Sequence, residues 1–496
     1  MENCKMVFLG VDVGSSGSKC VAFNESGQRL AMRYEEYQTA AGALNLPPEL
    51  LIKTVFSVIS GCVSDIESKK DIAAITVSSF GESFVPLSKS GKPLTEIIMY
   101  FADKARAELD LVIDAVGFEE IMSVTRTMPD TMYALPKMMW TEKNVNEPVW
   151  KYLSIANYVM YVLTGEAVTD YTLACRTLLF DLQQLSWSDK LLNVSGIEKS
   201  QMPQVVPSGT VVGKVLPGVA VALGLSSGVS VITGAQDQVV NALGAGVLSE
   251  GECVDGIGTV ECITPMFNSI PSLEFTKRNY VCIPYFNGFV TYAFTFSGGS
   301  LVKWFKDNLA GNLSSEAIKR GRSVYDLLNA GCPKEPSGIY LIPHFQGAGG
   351  TPDMVKNARG LMYGLTMNSD IFDIYRAVLE GVTYEMAYNL ETLSCFGVSP
   401  NRIVASGGGA RSSQWLQIKA DIFGREIIPV AEEECGALGS AMLAATVLGC
   451  CSNETEAVEL FVRHRPSVYP NTQHMSEYKE MYEEYKKLRE IGLSLA

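Results

Sequence analysis

Carboxylates and hydroxyls at the ends of apolar runs are where this chain could do chemistry. Asp12-Val13-Gly14-Ser15-Ser16-Gly17-Ser18-Lys19 follows the apolar run Met6 to Val11, and Cys20-Val21-Ala22-Phe23 resumes before a second turn at Asn24-Glu25-Ser26-Gly27. The first run reads as a buried strand, the glycines permit a tight reversal, and the second run is its hairpin partner. Inside such a turn, backbone N–H groups and the serine hydroxyls can face an anion, Lys19 adds a point charge, and Asp12 could hold a divalent cation. An ordinary hairpin reads the same way.

Two further acids stand at comparable places. Ile72 to Val77 reads as a buried strand that delivers Ser78-Ser79-Phe80-Gly81-Glu82-Ser83, and Tyr100-Phe101-Ala102-Asp103-Lys104-Ala105-Arg106 comes soon after. Glu82 and Asp103 could accept hydrogen bonds from a polyol, with Phe80 or Phe101 as an apolar wall; a solvated loop acid is the other reading of each. Farther on, the apolar run from Val229 ends in Gly234-Ala235-Gln236-Asp237-Gln238, and Val239 to Val247 follows as a small-residue helix. That puts Asp237 at a strand-to-helix junction, where an acid is either a reactive group or a helix cap.

The elements that must hold these groups alternate as in an α/β protein. Leu51, Val55, Val58, Ile59 and Val63 recur at helical spacing after Pro47-Pro48, ahead of the Ile72 strand. The stretch from Asp130 to Gly165 is helical in tone, and Gly196 to Val229 is rich in turn formers. Past Gly246 the opening pattern restarts as Cys253-Val254-Asp255-Gly256-Ile257-Gly258-Thr259-Val260-Glu261-Cys262-Ile263, which points to two related domains. Phe296-Ser297-Gly298-Gly299-Ser300 leads into a helix through Trp304, and Pro343 to Asp353 reads as a mobile loop. The pattern Ile374, Val378, Val382, Met386, Leu390, Leu393 predicts a core helix. Arg402 to Ser406 then enters Gly407-Gly408-Gly409-Ala410, where three glycines allow close approach to a flat ligand or a phosphate, and Gln414 to Asp421 opens another helix.

Composition bounds the function classes. With 496 residues, 47% of them hydrophobic and 19% charged, two large domains are expected, here drawn at 1–247 and 248–496. A net charge of -14 without a basic block argues against general affinity for nucleic acid or anionic membrane. Asp12 arrives before a secretory apolar region could be completed, no apolar stretch is long enough to span a membrane, and the twelve scattered cysteines read as reduced, so a cytoplasmic location is expected. His344, His464 and His474 show no ligand spacing.

Taken in order, these segments resemble the FGGY carbohydrate kinases, within the group that also holds actin and the heat-shock chaperone ATPases. Asp12 to Lys19 matches the family's first phosphate motif, with Ser15 where threonine is usual. Gly234 to Gln238 matches the segment carrying the catalytic base, and Ser406 to Asp421 is similar to the C-terminal signature, with Cys435 to Ala441 fitting the helix after it. The resemblance implies an α/β chain of two ribonuclease-H-like domains with a cleft between them, closing over substrate. The first domain would bind sugar and supply the base, and the second would bind nucleotide. ATP and Mg2+ are the implied cofactors. Asp237 would be the base and Asp12 the metal group, with Asp237 beside the same ion. Phe80, Gly81, Glu82, Asp103 and Gln236 would bind the sugar. Gly14, Ser15, Ser16, Lys19, Gly258 and Thr259 would steady phosphates, and Gly299, Gly408, Gly409 and Ser413 would border adenine and ribose.

Departures from the family pattern fall on the substrate side. Ser79-Phe80-Gly81-Glu82 stands where xylulokinases carry Met-His-Gly-Gln, and Gly81-Glu82 where glycerol kinases carry Arg-Glu. Asp103 matches the family's Trp-x-Asp-x-Arg better than Arg106, which falls one place late. Val260-Glu261 replaces the usual Ser-Gly of the second phosphate turn, and an acid pointing inward there would repel a phosphate. The expected activity is phosphorylation of a pentulose such as xylulose. Glycerol, a tetritol or a hexulose is the alternative acceptor, and an actin- or chaperone-like ATPase or a sugar sensor the alternative class. Glu82 and Asp103 are expected to read adjacent hydroxyls of a neutral substrate and to reject acidic sugars. A small-molecule partner is expected, a homodimer remains open, and neither nucleic acid nor membrane is expected.

Overall fold

The computed structural model describes residues 6–40 and 42–496, so Cys4 of the cysteine set lies outside the described residues. The chain forms two units. The first holds the chain up to Leu248 together with Val281–Val290 and Glu434–Val462; the second holds Ser249–Tyr280, Thr291–Glu433 and Arg463–Ala496. Against a single division after residue 247, two later segments return to the first unit.

In the first unit the opening run and its partner form strands β1 (Val7–Val13) and β2 (Gly17–Asn24), followed by β3 (Arg29–Glu36), all antiparallel neighbours. Strand β4 (Ile72–Ser79) lies parallel to β1, β5 (Val211–Lys214) is an antiparallel edge, and β6 (Ser230–Gln236) lies between β5 and β4, parallel to β4. The order is β5-β6-β4-β1-β2-β3. Strands β1 and β4 are buried along nearly their whole length, as continuous apolar runs in a sheet covered on both faces should be. Leu51, Val55, Val58, Ile59 and Val63 of the helix Pro48–Ser64 pack into the same core, as their spacing predicts.

The small residues near the C-terminus find their reason in this unit. Helix Cys435–Val447 packs on helix Asp237–Gly244 and on β1. A Cβ on Gly244 would stand 1.9 Å from the Cys435 carbonyl oxygen, and one on Gly439 would stand 2.0 Å from that of Val240. Only glycine permits that backbone approach.

The second unit repeats the plan. Strands β7 (Glu252–Ile257) and β8 (Glu261–Phe267) form a hairpin, β9 (Ala293–Thr295) extends it beyond β8, and β10 (Arg402–Ser406) and β11 (Ile427–Pro429) continue in parallel from β7. Val378, Val382, Met386, Leu390 and Leu393 of the helix Ile371–Ser394 form its core with Ile403 and Ala405 of β10. The loop expected to be mobile is pinned: Asp353 receives Arg278 at 3.0 Å and Arg489 at 3.3 Å, and the Thr351 hydroxyl receives the Phe294 N–H at 2.8 Å. No helix among the described residues is long and apolar enough to cross a membrane.

Candidate active site

Three neighbouring parallel strands of the first unit end at one edge of its sheet. Asp12 pairs in register with Ser78, Val13 with Ser79, and Gln236 with Ser79. Asp12, the segment Phe80-Gly81-Glu82 and Asp237 therefore leave β1, β4 and β6 side by side, at the carboxyl edge where open α/β sheets take their ligands.

Asp237 begins the helix Asp237–Gly244 but does not cap it. That work falls to Gln236, whose side-chain oxygen accepts the Gln238 N–H at 3.0 Å. The Gln236 amide nitrogen donates to Asp237 Oδ1 at 2.5 Å, and the Gln238 N–H reaches the same oxygen at 2.6 Å. Burial, then the charges of Asp12 and Glu82, push the Asp237 carboxyl up to about 7 against the hydrogen bonds from Gln238. Burial also raises Asp12, with Lys19 pulling it down and Glu434 adding to the rise. Both acids keep part of their surface open to solvent.

The turn after Asp12 is as tight as its glycines allow. Gly14 N–H closes it on the Gly17 carbonyl at 2.9 Å. Of the three serines, Ser15 and Ser16 stay accessible, whereas Ser18 is buried with its hydroxyl 2.8 Å from that of Tyr37. Lys19 is not a free point charge: its ammonium binds Glu434 at 2.5 Å. Tyr100 joins the group, its hydroxyl pushed up to about 12 by burial and by Glu82 and Asp237 against the pull of Ser15. Its ring lies tilted 5.7 Å from that of Phe80.

Glu82 and Asp103 do not form a matched pair. Glu82 is 7% exposed and its Oε1 accepts the Arg176 Nε at 2.6 Å, with Arg176 itself 1% exposed and its guanidinium 5.0 Å from the Tyr133 ring. A Cβ on Gly81 would stand 2.5 Å from Arg176 Cγ, so glycine makes room for this ion pair. Glu82 adopts a left-handed φ of 67°, uncommon for a residue with a side chain and a sign that its surroundings hold it there. Asp103, in contrast, is 67% exposed at its side chain, accepts the Thr131 hydroxyl at 2.9 Å and faces Arg106 at 3.9 Å. A missing substrate hydroxyl would thus leave neither acid bare, which removes the basis expected for their joint discrimination. Lys137, also unforeseen, donates to the Met132 carbonyl at 2.8 Å, and burial lowers it to about 8 against the pull of Glu82 and Asp130.

The glycine turns of the second unit gather at the end of its own sheet. Gly299 N–H donates to the Gly258 carbonyl at 2.8 Å and Ser300 N–H to that of Thr259 at 3.0 Å, so the turn after β7 seats the start of the helix Gly299–Asn308. A Cβ on Gly409 would stand 2.2 Å from Ile257 Cγ2, while one on Gly408 would meet nothing within 4 Å. Gly409 is therefore fixed by packing, and Gly408 presents open backbone. Ser413 begins the helix Ser413–Phe423, capped by the Ser412 hydroxyl on Trp415 N–H at 3.2 Å. Glu261 is fully buried, with the Lys419 ammonium 2.5 Å away and 2.8 Å from Asp255. Burial pushes Glu261 up to about 8 against that ammonium. The acid that threatened the second phosphate turn points into the core instead.

Among the described residues no three His, Cys, Asp or Glu side chains form a metal cage. Mg2+ needs none, since it commonly takes one or two carboxylates and fills its remaining positions with phosphate oxygens and water. The uncompensated charge that Asp12 imposes on Asp237 is what such a cation would offset.

Comparison with known proteins agrees along nearly the whole chain. Residues 7–244 match the N-terminal domain of the FGGY family of carbohydrate kinases and residues 265–448 its C-terminal domain. A xylulose kinase of Bacillus subtilis is 29% identical over 97% of this chain and 96% of its own, and a gluconokinase of the same organism 27% identical over 89% and 87%. The crystal structure of a ligand-bound xylulose kinase from Lactobacillus acidophilus superposes with a TM-score of 0.87 at 24% identity, covering 98% of each chain.

Proposed function

The chain belongs to the FGGY family of carbohydrate kinases, and from that premise we propose that it transfers the γ-phosphoryl group of ATP to a hydroxyl of a small neutral sugar, a pentulose such as xylulose before any other. The observation that carries this reading is the raised carboxyl of Asp237 at the shared edge of β1, β4 and β6. A carboxylate that titrates near 7 can take a proton from an alcohol at neutral pH, which one near 4 does poorly.

In this mechanism Asp237 accepts the substrate's hydroxyl proton as the hydroxyl oxygen attacks phosphorus in line; the bond from phosphorus to the bridging oxygen breaks, and ADP leaves. Gln236 and the Gln238 N–H hold Asp237 Oδ1, directing its other oxygen to the proton. Asp12, with Asp237 beside it, would hold Mg2+, which supplies charge neutralisation on the phosphates. Gly14, Ser15 and Ser16 would face phosphate oxygens. Lys19, engaged by Glu434, would set the turn more than bind the anion. Gly258, Thr259, Gly299, Gly408, Gly409 and Ser413 would take the nucleotide, with Gly408 offering the open backbone. Phe80 and Gly81 would wall the sugar, and Glu82 would accept a sugar hydroxyl at the oxygen not held by Arg176. Asp103 is left with a peripheral contact.

Charge supports a neutral acceptor over gluconate. Asp12, Asp237 and Glu82 stand together, and the one guanidinium bound to Glu82 is already compensated. The deciding experiment is ADP release across xylulose, ribulose, a hexulose, glycerol, erythritol and gluconate at fixed ATP and Mg2+. A pentulose should give the highest kcat/KM; gluconate as the best acceptor would overturn the neutral-substrate reading.

A further inference from the structure

The segment that supplies Arg176 begins with a second buried polar group, Asp170. Asp170 caps the helix Tyr171–Ala174, accepting the Thr172 N–H at 2.9 Å and the Leu173 N–H at 3.4 Å. Its Oδ1 also takes the Ser208 hydroxyl at 3.2 Å and the Thr172 hydroxyl. Asp170 is 1% exposed and Thr172 2%. A threonine hydroxyl has one hydrogen. Spending it on a carboxylate turns the hydroxyl's lone pairs the other way, and there the Gln236 N–H arrives at 2.7 Å.

That N–H sits where strand β6 loses its regular pairing. The register with β4 shifts between Thr233 and Gln236, and the chain turns at Gln236 into the helix that starts with Asp237. The shift disrupts the ladder locally, and although Gln236 pairs again with Ser79 its N–H is left to a partner outside the sheet. The hydroxyl of Thr172 is that partner, one residue before Asp237, and the Gln236 side chain passes the constraint on by its bond to Asp237 Oδ1 at 2.5 Å.

We propose that Asp170 and Thr172 are positioning residues for phosphoryl transfer: the carboxylate of Asp170 orients the Thr172 hydroxyl, which by accepting the Gln236 N–H sets the aim of Asp237. The inference rests on the reading of Asp237 as the base. Neither residue touches substrate. Their effect is on how often Asp237 stands in line with the attacking hydroxyl, a quantity to which rate is steeply sensitive: an error near 1 Å costs about a hundredfold.

The test is the pair Thr172→Val, which keeps the shape and removes the hydroxyl, and Thr172→Ser, which keeps the hydroxyl. Valine should lower kcat by about tenfold to a hundredfold while KM for sugar and for ATP stays within about threefold, and serine should recover most of the loss. Combined with Asp237→Ala, valine should cost nothing more, because the group it aims is gone. A merely structural role would instead give losses that multiply in the double variant, or a valine enzyme with normal kcat, and either result overturns the proposal. Should the valine variant not fold, Asp170→Asn serves in its place, with a smaller drop in kcat that must likewise vanish beside Asp237→Ala. A normal kcat for Asp237→Ala alone defeats the base assignment and this inference together. A slow Asp237→Ala with multiplicative losses defeats only the inference.

Discussion

The first unit closes β1 and β2 over Asp12, and the second closes β7 and β8 over Asp255 and Glu261. Both sheets place the hairpin strands third, second and first, then continue with two parallel strands. Both put a glycine turn at the carboxyl end of the first strand and an acid just before it. The acids are then treated in opposite ways. Asp12 keeps solvent access, shares its nearest cation with Glu434, and stands near two more carboxylates. Asp255 and Glu261 are sealed in, with Lys419 on both of them. One strand plan thus carries reactive acids in one copy and an internal ionic strut in the other, so fold position alone does not make an acid catalytic.

The comparison is broken most decisively at Asp237. Asp237→Ala should bind sugar and ATP yet turn over about a hundredfold to ten-thousandfold more slowly, with thermal unfolding close to wild type. Near-normal turnover would remove Asp237 from the chemistry. The mirror experiment is Lys419→Met, which leaves two buried carboxylates without their cation. Its expected cost is about 3–5 kcal/mol of stability, read by urea unfolding, while the kcat of the folded enzyme is kept. A stable Lys419→Met enzyme with lost turnover would mean that the second unit's acids work as the first unit's do. Third, Asp12→Ala should raise the Mg2+ concentration needed for half-maximal rate. The effect is smaller because a cation held chiefly by phosphate oxygens and water loses one ligand of several. Unchanged Mg2+ dependence takes Asp12 out of the metal site.

What the sequence revealed and what it hid divide along the same line. Asp12 and Asp237 were legible because a strand ending in small residues and an acid is a local pattern, written within a dozen residues. Arg176 and Lys419 were not, because each meets its acid across the fold, 94 residues from Glu82 and 158 from Glu261. No periodicity records such a meeting, and so Glu82 read as a free hydroxyl acceptor and Glu261 as a hazard to phosphate. The glycines of Pro343 to Asp353 suggested mobility for the same reason: the arginines that pin Asp353 come from Arg278 and Arg489. The helix Cys435–Val447 was legible as a helix, but its return to the first unit depends on a close approach of Gly439 and Gly244 across the fold, which no local pattern records.

The smallest expected effect sharpens the comparison through pH. Asp237 can accept a proton only when ionised, and burial with the neighbouring charges of Asp12 and Glu82 has raised it to about 7. The kcat/KM profile at fixed free Mg2+ should therefore have an acidic limb displaced above the ordinary carboxylate range, falling about tenfold per pH unit below its midpoint. Groups facing Asp237 come from four places: Asp12 from β1, Glu82 from the loop after β4, Tyr100, which stays protonated across this range, and Gln236 with Gln238 from its own junction. Asp12→Asn removes the larger of the two like charges, which makes ionisation of Asp237 easier. The limb of its residual activity should move to lower pH. Burial raises Glu261 as well, but it is sealed against Lys419, so Glu261→Gln should leave the limb where it was. A limb that stays fixed in Asp12→Asn, or that moves in Glu261→Gln, would show that the two turns do not divide the work as their electrostatics imply.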